Sequence, residues 1–244
     1  MPALSACLCA AAGLVLAAAA ASRAQAQSFW AFQVTPMLVA PSVEGRTELG
    51  WAGGDLSLRA ANPLRNLDAG GMLQFEARHA GGAGVMLRYA VLDAEQDADS
   101  TAGPLQVAYD QRIAEAAVTY RFGKDWDRFD AYAGLRHWEV GVEAGPARQA
   151  ASWTEPMAGL RWQRRLSEDY SLSLESDIGG FGAGSDLSWS VMGGLIYHRW
   201  KRASIYVMYR GLGVDFERGS PGSATYFRHD ATTHSLLAGI GFRF

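Results

Sequence analysis

Ten segments of the chain alternate between apolar and polar residues with the two-residue period of a β-strand. Each segment is close to the roughly 9–11 residues that a tilted strand needs to cross a membrane. The predicted strands lie at about 29–39, 69–79, 83–92, 112–122, 129–140, 153–165, 169–178, 187–198, 203–211 and 234–244. Because lipid tolerates no unpaired strand edge, membrane-crossing strands must close into a barrel.

The connections between the predicted strands alternate in length. The short ones are 80–82, 123–128, 166–168 and 199–202, and the long ones are 40–68, 93–111, 141–152 and 212–233, with the glycine-rich 179–186 in the same alternating position. Outer-membrane barrels have short periplasmic turns and longer external loops. The sequence therefore predicts an all-β fold, an antiparallel transmembrane β-barrel of about ten strands, with both ends of the mature chain in the periplasm. Eight or twelve strands are the alternatives, since 43–60 could form an extra hairpin.

Apolar residues occupy one face of each predicted strand and polar residues the other. In the last segment the apolar face consists of Leu236, Ala238, Ile240, Phe242 and Phe244. In 153–165, Leu160 lies on the apolar face, and Glu155 and Arg161 lie on the other. An apolar exterior with a polar interior is the arrangement of a membrane barrel. Aromatic residues gather near the predicted strand ends, as rings at the headgroup level do; they are Trp30, Trp126, Trp138, Trp153, Trp189, Trp200, Tyr120, Tyr170, Tyr197 and Phe122.

The first 26 residues have the pattern of a secretory signal peptide. The apolar run 8–21 is too short to span a bilayer as a helix, and Ala24-Gln25-Ala26 follows it. We expect cleavage between Ala26 and Gln27, which divides the chain into a signal peptide, 1–26, and one barrel domain, 27–244. Cleavage removes Cys7 and Cys9 and therefore excludes thiol chemistry and cysteine-based metal sites. The net charge of −3 gives no indication of nucleic-acid binding.

Several motifs occur in the order in which a known family carries them. They are VTPML at 34–38, FEAR at 75–78, GLRHW at 134–138, WTEPMAGLR at 153–161, DIGGFGAGSDLSW at 177–189 and YRGL at 209–212. Together they resemble a large family of uncharacterised bacterial outer-membrane proteins, although Met37 stands where that family commonly has Tyr. The resemblance implies a barrel in the outer membrane of a Gram-negative cell and implies no activity.

The final strand also resembles the C-terminal strand of outer-membrane barrels, whose last Phe is read by the barrel-assembly machinery. This resemblance implies that Phe242 and Phe244 form an assembly signal. The expected partners are accordingly that machinery during biogenesis and outer-membrane lipid afterwards.

Twelve charged residues fall on the polar faces of the predicted strands. They are Glu76, Arg78, Arg88, Glu115, Arg121, Arg136, Glu155, Arg161, Glu175, Asp177, Arg210 and Arg243. Arginines and carboxylates on neighbouring strands can pair in bidentate fashion, and the interior of a small barrel is just filled by side chains. The sequence therefore predicts a protein of structural or small-solute role whose lumen is largely plugged by charged side chains. The alternative is a narrow pore that favours anions, because seven arginines face five acids in this set.

A metal site and an enzyme are further alternatives. Asp177, Ser185 and Asp186 flank the glycine-rich loop and could hold a cation through oxygen atoms, or could bond the backbone amides of the loop. The glycine-rich pattern of the loop is also found in phosphate-binding loops, but those are followed by a helix, and here strands flank the loop. An enzyme acting on lipid A or peptides would use polar residues near the outer rim, namely His229, Asp230, His234, Asp215, Ser185 and Asp186. No segment carries the signature of such enzymes, so we expect no enzymatic activity, no cofactor and no catalytic residue.

Overall fold

The fold is taken from a computed structural model, which describes residues 29–49, 54–58, 70–100, 103–144, 147–220, 223 and 226–244. Within these ranges the chain forms strands β1 (Trp30–Leu49), β2 (Gly54–Leu58), β3 (Gly70–His79), β4 (Ala83–Ser100), β5 (Gly103–Lys124), β6 (Asp127–Ala144), β7 (Ala147–Arg165), β8 (Tyr170–Gly180), β9 (Leu187–Tyr197), β10 (Ala203–Arg218) and β11 (Phe227–Arg243). The signal peptide and its cleavage site at Ala26 and Gln27 lie outside the described residues. No helix among the described residues is long and apolar enough to cross a membrane.

Ten of these strands close into an antiparallel barrel. Each strand from β3 to β11 pairs with the next along the chain, and β1 pairs with β3 on one side and with β11 on the other. The final residue takes part in the closure, because the amide nitrogens of Phe32 and Phe244 each donate to the carbonyl oxygen of the other, at 3.0 and 3.1 Å. The prediction of a ten-stranded transmembrane-type barrel is confirmed.

The remaining strand, β2, accounts for the predicted extra hairpin. Gly54–Leu58 pairs with the second half of β1, and its last two residues pair with β4. The region 43–60 therefore does contain an additional strand. It pairs with the parts of β1 and β4 that continue beyond the predicted strands 29–39 and 83–92. It does not change the number of strands that form the closed barrel.

The two ends of the barrel differ as the connection lengths predicted. At one end, here called the turn end, the strands are joined by the short segments 80–82, 125–126, 166–169 and 198–202. Phe244 and Trp30 lie at this end, since Trp30 pairs with His79 beside the first of these turns. The opposite end, here called the loop end, carries the longer connections.

The predicted loops 40–68, 93–111, 141–152 and 212–233 are wrong in part, because strands continue into all four of them. β4 runs to Ser100 and β5 begins at Gly103, and β6 and β7 extend in the same way. β5 has 22 residues and is therefore roughly 70 Å long, about twice what a tilted membrane strand needs. The sequence prediction ended each strand where its outer face stopped being apolar, and hydrogen bonding continues beyond that point.

The exterior of the barrel is apolar and the interior polar along the membrane-length part of each strand. On β8, Leu174 is 45% exposed while the next residue, Glu175, is 2% exposed. On β7, Leu160 is exposed and Glu155 is fully buried. The exposed apolar side chains include Val85, Leu87, Val118, Leu135, Ile178, Val191, Leu195, Val207, Leu236 and Ile240. The predicted face assignment is confirmed.

The aromatic residues divide between two locations. Trp30, Tyr120 and Trp126 are exposed near the turn end, as are Phe122, Tyr170 and Trp200, and Trp189 is exposed near the loop end. Trp138 and Trp153 are instead buried inside the barrel. Their placement at the headgroup level was wrong, because both lie on the inward faces of strands that extend past the apolar belt.

Candidate functional site

The barrel interior consists of three layers along its axis. The middle layer, here called the ion-pair network, contains the buried residues Arg88, Glu115, Arg136, Glu155, Arg161, Glu175, Asp177 and Arg210 together with Glu76. The loop-end layer is apolar and aromatic. The turn-end layer surrounds a cavity.

Glu115 on β5 is the centre of the ion-pair network. Its Oε2 atom accepts a hydrogen bond from Nη1 of Arg88 at 2.8 Å, and its Oε1 atom accepts from Nε of Arg136 at 3.0 Å and from Nη2 of Arg210 at 2.9 Å. All four side chains are at most 5% exposed. One carboxylate thus receives three guanidinium groups from β4, β6 and β10.

Two further carboxylates complete the pairing of these arginines. Glu175 accepts from Nη2 of Arg88 at 2.7 Å and from Nε of Arg161 at 2.6 Å. Asp177 accepts from Nη2 of Arg136 at 2.5 Å. Because a buried charge without a partner is strongly destabilising, the network stabilises the barrel only as a complete set.

Glu155 anchors the glycine-rich loop to the network. Its two carboxylate oxygens accept short hydrogen bonds from the hydroxyl groups of Ser185 and Ser188, and Nη1 of Arg136 lies 3.6 Å away. The loop can turn inward because Gly184 adopts a φ of +97°, and a Cβ there would lie 2.6 Å from the carbonyl oxygen of Thr154. The expectation that Ser185 bonds the loop's own amides is therefore wrong; Ser185 ties the loop to the interior.

Asp130 on β6 belongs to the same system and was missed from the sequence. It accepts from Nε and Nη2 of Arg121 at 2.7 and 2.8 Å, and from Nη1 of Arg78 at 2.8 Å. Arg78 also pairs with Glu76, to which Arg161 donates from the opposite direction. The sequence did contain a signal for Asp130, because it is an even number of residues from Arg136 along β6 and so lies on the same face.

All twelve predicted lumen residues lie on inward faces. Arg243 is the one that pairs with serine and histidine instead of a described carboxylate.

The loop-end layer, here called the aromatic layer, is built around Trp138, Trp153 and Phe216. The ring centroids of Trp138 and Trp153 are 5.5 Å apart, and those of Trp153 and Phe216 are 3.9 Å apart with nearly parallel planes. Buried aliphatic side chains of β1, β6 and β10 belong to the same cluster, including Val43, Val140, Val142, Leu212 and Val214. Nothing in the sequence analysis indicated this layer, because most of the residues that form it had been assigned to loops.

His229 is the polar member of the aromatic layer. It is fully buried, with Nδ1 at 3.0 Å from the Thr47 hydroxyl and Nε2 at 3.2 Å from the Tyr109 hydroxyl. It lies at the loop end of the barrel, beyond the apolar belt, and its burial lowers the pKa of its imidazole to about 4. The ring is therefore neutral at physiological pH.

The remaining candidate enzyme residues do not all come together, although Asp186, Asp215 and Asp230 are neighbours: the amide of Asp186 donates to the carbonyl oxygen of Asp215 at 3.0 Å. His234 lies on the outer surface, with Nε2 at 3.1 Å from Glu44 Oε1 and Nδ1 at 2.6 Å from the Tyr209 hydroxyl. Asp230 faces outward and pairs in register with the half-buried Asp215. His229 and His234 are thus on opposite faces of β11, and Ser185 is bound to Glu155.

The candidate metal residues are also separated by their contacts. Asp177 is bound to Arg136 and Tyr132, Ser185 to Glu155, and Asp186 is exposed. Over the part of the chain that the structure describes, no group of three or more His, Cys, Asp or Glu residues is arranged to hold a metal ion.

The turn-end layer contains a cavity of about 170 Å³, here called the turn-end cavity. Its lining combines apolar side chains, such as Phe32, Met37 and Ile196, with polar and charged ones. The polar and charged ones include Gln33, Arg128, His198 and Arg243, and Glu76 and Arg161 of the ion-pair network at its inner end. Outside this end, Phe242 is 37% exposed on the barrel surface, and Phe244 stacks on Phe32 with ring centroids 6.2 Å apart.

No family model and no curated protein matches the chain. Among solved structures it is similar to the outer-membrane protease OmpT of Escherichia coli, with a TM-score of 0.62, 9% identity, and coverage of 88% of this chain and 97% of that one. Ail, the attachment invasion locus protein of Yersinia pestis, matches with a TM-score of 0.42, 10% identity and coverage of 89% and 100%. OprG of Pseudomonas aeruginosa matches with a TM-score of 0.41, 12% identity and coverage of 88% and 95%. The likeness to OmpT concerns the fold alone, and the chain accordingly has the fold of a bacterial outer-membrane β-barrel.

Proposed function

We propose that the chain is an integral protein of the Gram-negative outer membrane, of structural or small-solute role, with a lumen closed to ion flow. The turn end faces the periplasm and the long strands project from the cell surface. Assembly depends on the barrel-assembly machinery, which reads Phe242 and Phe244, and the resemblance to uncharacterised outer-membrane proteins agrees with this placement.

The apolar belt supports the membrane location. Exposed leucine, isoleucine and valine side chains occur on nine of the ten barrel strands, all except β3, far beyond the apolar patches that water-soluble monomers expose. On β11 the belt runs from His234 to Phe242, and on β5 it runs from Arg112 to Tyr120. The eight residue-to-residue steps of each range, along a tilted strand, correspond to a height of about 20 Å, close to the roughly 25 Å band of outer-membrane barrels.

The closed lumen is supported chiefly by the ion-pair network. Side chains from opposite walls meet in it at hydrogen-bond distance, so that Glu115 alone contacts arginines of three strands. Above the network, the stacked rings of Trp153 and Phe216 fill the barrel at 3.9 Å separation. A path for hydrated ions would have to pass both layers.

Conductance in a planar lipid bilayer tests this proposal. We expect the purified, assembled protein to give no steady conductance across a wide range of voltage. A stable open state whose ion selectivity changes in Arg136→Glu or Arg161→Glu would reject the closed lumen and favour an anion-selective pore. Mass spectra of lipid A after overexpression test the enzyme alternative, and we expect them to be unchanged.

A further inference from the structure

The turn-end cavity holds two arginines whose charges are not matched by the network. Arg128 is on β6 and Arg243 is on β11, and both line the cavity. Among the described residues, no carboxylate lies within ion-pair distance of either guanidinium. In contrast, Arg78 and Arg121, which also line the cavity, share Asp130, so Arg128 and Arg243 are the lining arginines without a carboxylate partner among the described residues.

Arg128 carries a donor that lacks an acceptor. Its Nε atom is buried and has no hydrogen-bond partner within the described ranges. Buried polar atoms of this kind are rare, because leaving a charged donor unpaired is more costly than leaving a neutral one. Within the described part of the chain the partners of Arg243 are neutral, with Nη2 donating to the Ser204 hydroxyl at 2.6 Å and lying 3.3 Å from Nδ1 of His198.

The two arginines face each other across the barrel. In the closed ring of ten strands, β6 and β11 are separated by four strands in either direction, so they form opposite walls. His198, in the turn after β9, lines the same cavity and contacts the hydroxyls of Ser171 and Ser204 through its two ring nitrogens.

The pKa of His198 indicates that the electrostatic potential in the cavity is positive. Burial, together with the positive charges of Arg243, Arg165 and Arg128, lowers the pKa of its imidazole to about 4. The positive charges of arginines that lower the pKa of a histidine would stabilise an anion in the same cavity.

We propose that the turn-end cavity is a binding site for a phosphate-class oxyanion, held between Arg128 and Arg243. Tetrahedral oxygens point in several directions and so meet donors on opposite walls, whereas the two oxygens of a carboxylate lie in one plane. The cavity volume of about 170 Å³ holds several water-sized groups and therefore accommodates phosphate. Glu76 and Arg161 close its inner end, so the site is a pocket entered from the turn end and not a passage through the barrel.

Titration with inorganic phosphate tests the site. The assembled protein, in detergent and chloride buffer, would carry histidine labelled with ¹³C at Cε1. Its five histidines give five signals, and a His198→Gln variant assigns the one that matters. We expect phosphate to shift the His198 signal to saturation, while chloride added to the same ionic strength leaves it in place. A parallel titration with glycerol 3-phosphate distinguishes a free ion, if only inorganic phosphate binds, from an esterified one, if both bind.

Variants locate the bound ion. Arg128→Gln and Arg243→Gln should each weaken phosphate binding about tenfold or more, as loss of one charge-assisted hydrogen-bond donor predicts. Arg199→Gln is the matched control, because Arg199 is exposed in the same turn as His198 and should not alter binding. Heat-modifiable mobility in gels verifies that each variant is assembled. A non-saturating shift that chloride reproduces, or undiminished phosphate binding when both Arg128 and Arg243 are replaced, would overturn the proposal.

Discussion

Arg210 on β10 donates a hydrogen bond to Glu115 on β5 directly across the barrel, with 2.9 Å between Nη2 and Oε1. The two strands are opposite walls of the ten-stranded ring, and the residues are 95 positions apart in the chain. A contact of this kind fixes the distance between the walls. It also requires every charge around it to be paired, because these side chains are at most 5% exposed.

Removing the charge of Glu115 should therefore destabilise the barrel strongly. Glu115→Gln keeps the shape of the side chain but leaves Arg88, Arg136 and Arg210 with one carboxylate fewer, and breaking a buried ion pair typically costs about 3–5 kcal/mol. The loss is measured as the change in unfolding free energy of the protein in lipid or detergent.

Glu139→Gln is the control for this prediction. Glu139 lies 3.7 Å from Arg112 on the outer surface, where both side chains are about half exposed. An exposed pair of this kind contributes at most about 1 kcal/mol. Equal destabilisation by the two substitutions would show that the interior network does not hold the barrel together.

A charge on the outer face of the barrel should lower its stability, by an amount that depends on how deep the residue lies in the membrane. Leu160→Arg or Leu174→Arg places a guanidinium at the apolar belt and should reduce stability by roughly 2–4 kcal/mol in a bilayer. Leu166→Arg is the comparison, because Leu166 is exposed in a turn and should tolerate the change. If all three variants unfold alike in lipid vesicles, the belt is not at the bilayer.

The faces of the strands were predictable because lipid imposes a simple rule on them. Leu174 and Glu175 are neighbours in sequence and fall on opposite sides of the wall, as alternation requires. Above the belt the rule reverses: Glu139 faces water while Trp138 and Val140 face the interior. The two-residue period continues, but the apolar residues now face inward and the polar ones outward. A search for strands with an apolar outer face therefore ended these strands too early.

The partners within the lumen were not predictable for a different reason. Parity along β6 places Asp130 and Arg136 on the inward face, but it does not state which strand lies opposite. Pairs such as Arg210 and Glu115 depend on how the ring closes and on the stagger of its strands. Local sequence carries no record of that geometry, so the set of lumen charges was accessible and its pairing was not.

Replacing the terminal aromatics should affect assembly more than stability. Phe242→Ser with Phe244→Ser, or deletion of Phe244, removes the proposed assembly signal. In the double serine variant the barrel itself loses only an exposed ring and the stacking of Phe244 on Phe32, whereas the deletion also removes the two backbone hydrogen bonds between these residues. We expect a large drop in the heat-modifiable, membrane-inserted fraction in cells and a smaller change in unfolding free energy after refolding in vitro.

Phe181→Ser provides the control for assembly, because Phe181 is an exposed aromatic of the loop end. It should insert into the membrane as the unmodified protein does. If the terminal variants also insert at the normal level, Phe242 and Phe244 serve packing alone.

Acidification should destabilise the loop end of the barrel, because His229 takes up a proton more readily when this part of the structure opens. The pKa of this imidazole is about 4 in the folded protein, below its usual value of about 6.5, because the ring is buried. Between these values the opened state binds a proton that the closed state does not, so stability is complete above about pH 6.5 and is lost as the pH falls towards 4. The maximum loss is on the order of 3 kcal/mol. Hydrogen exchange of the backbone amides near Thr47, Tyr109 and His229 measures it, and His229→Gln, which cannot take up a proton, should remove the pH dependence. Protection that falls equally in this variant would assign the effect to other groups.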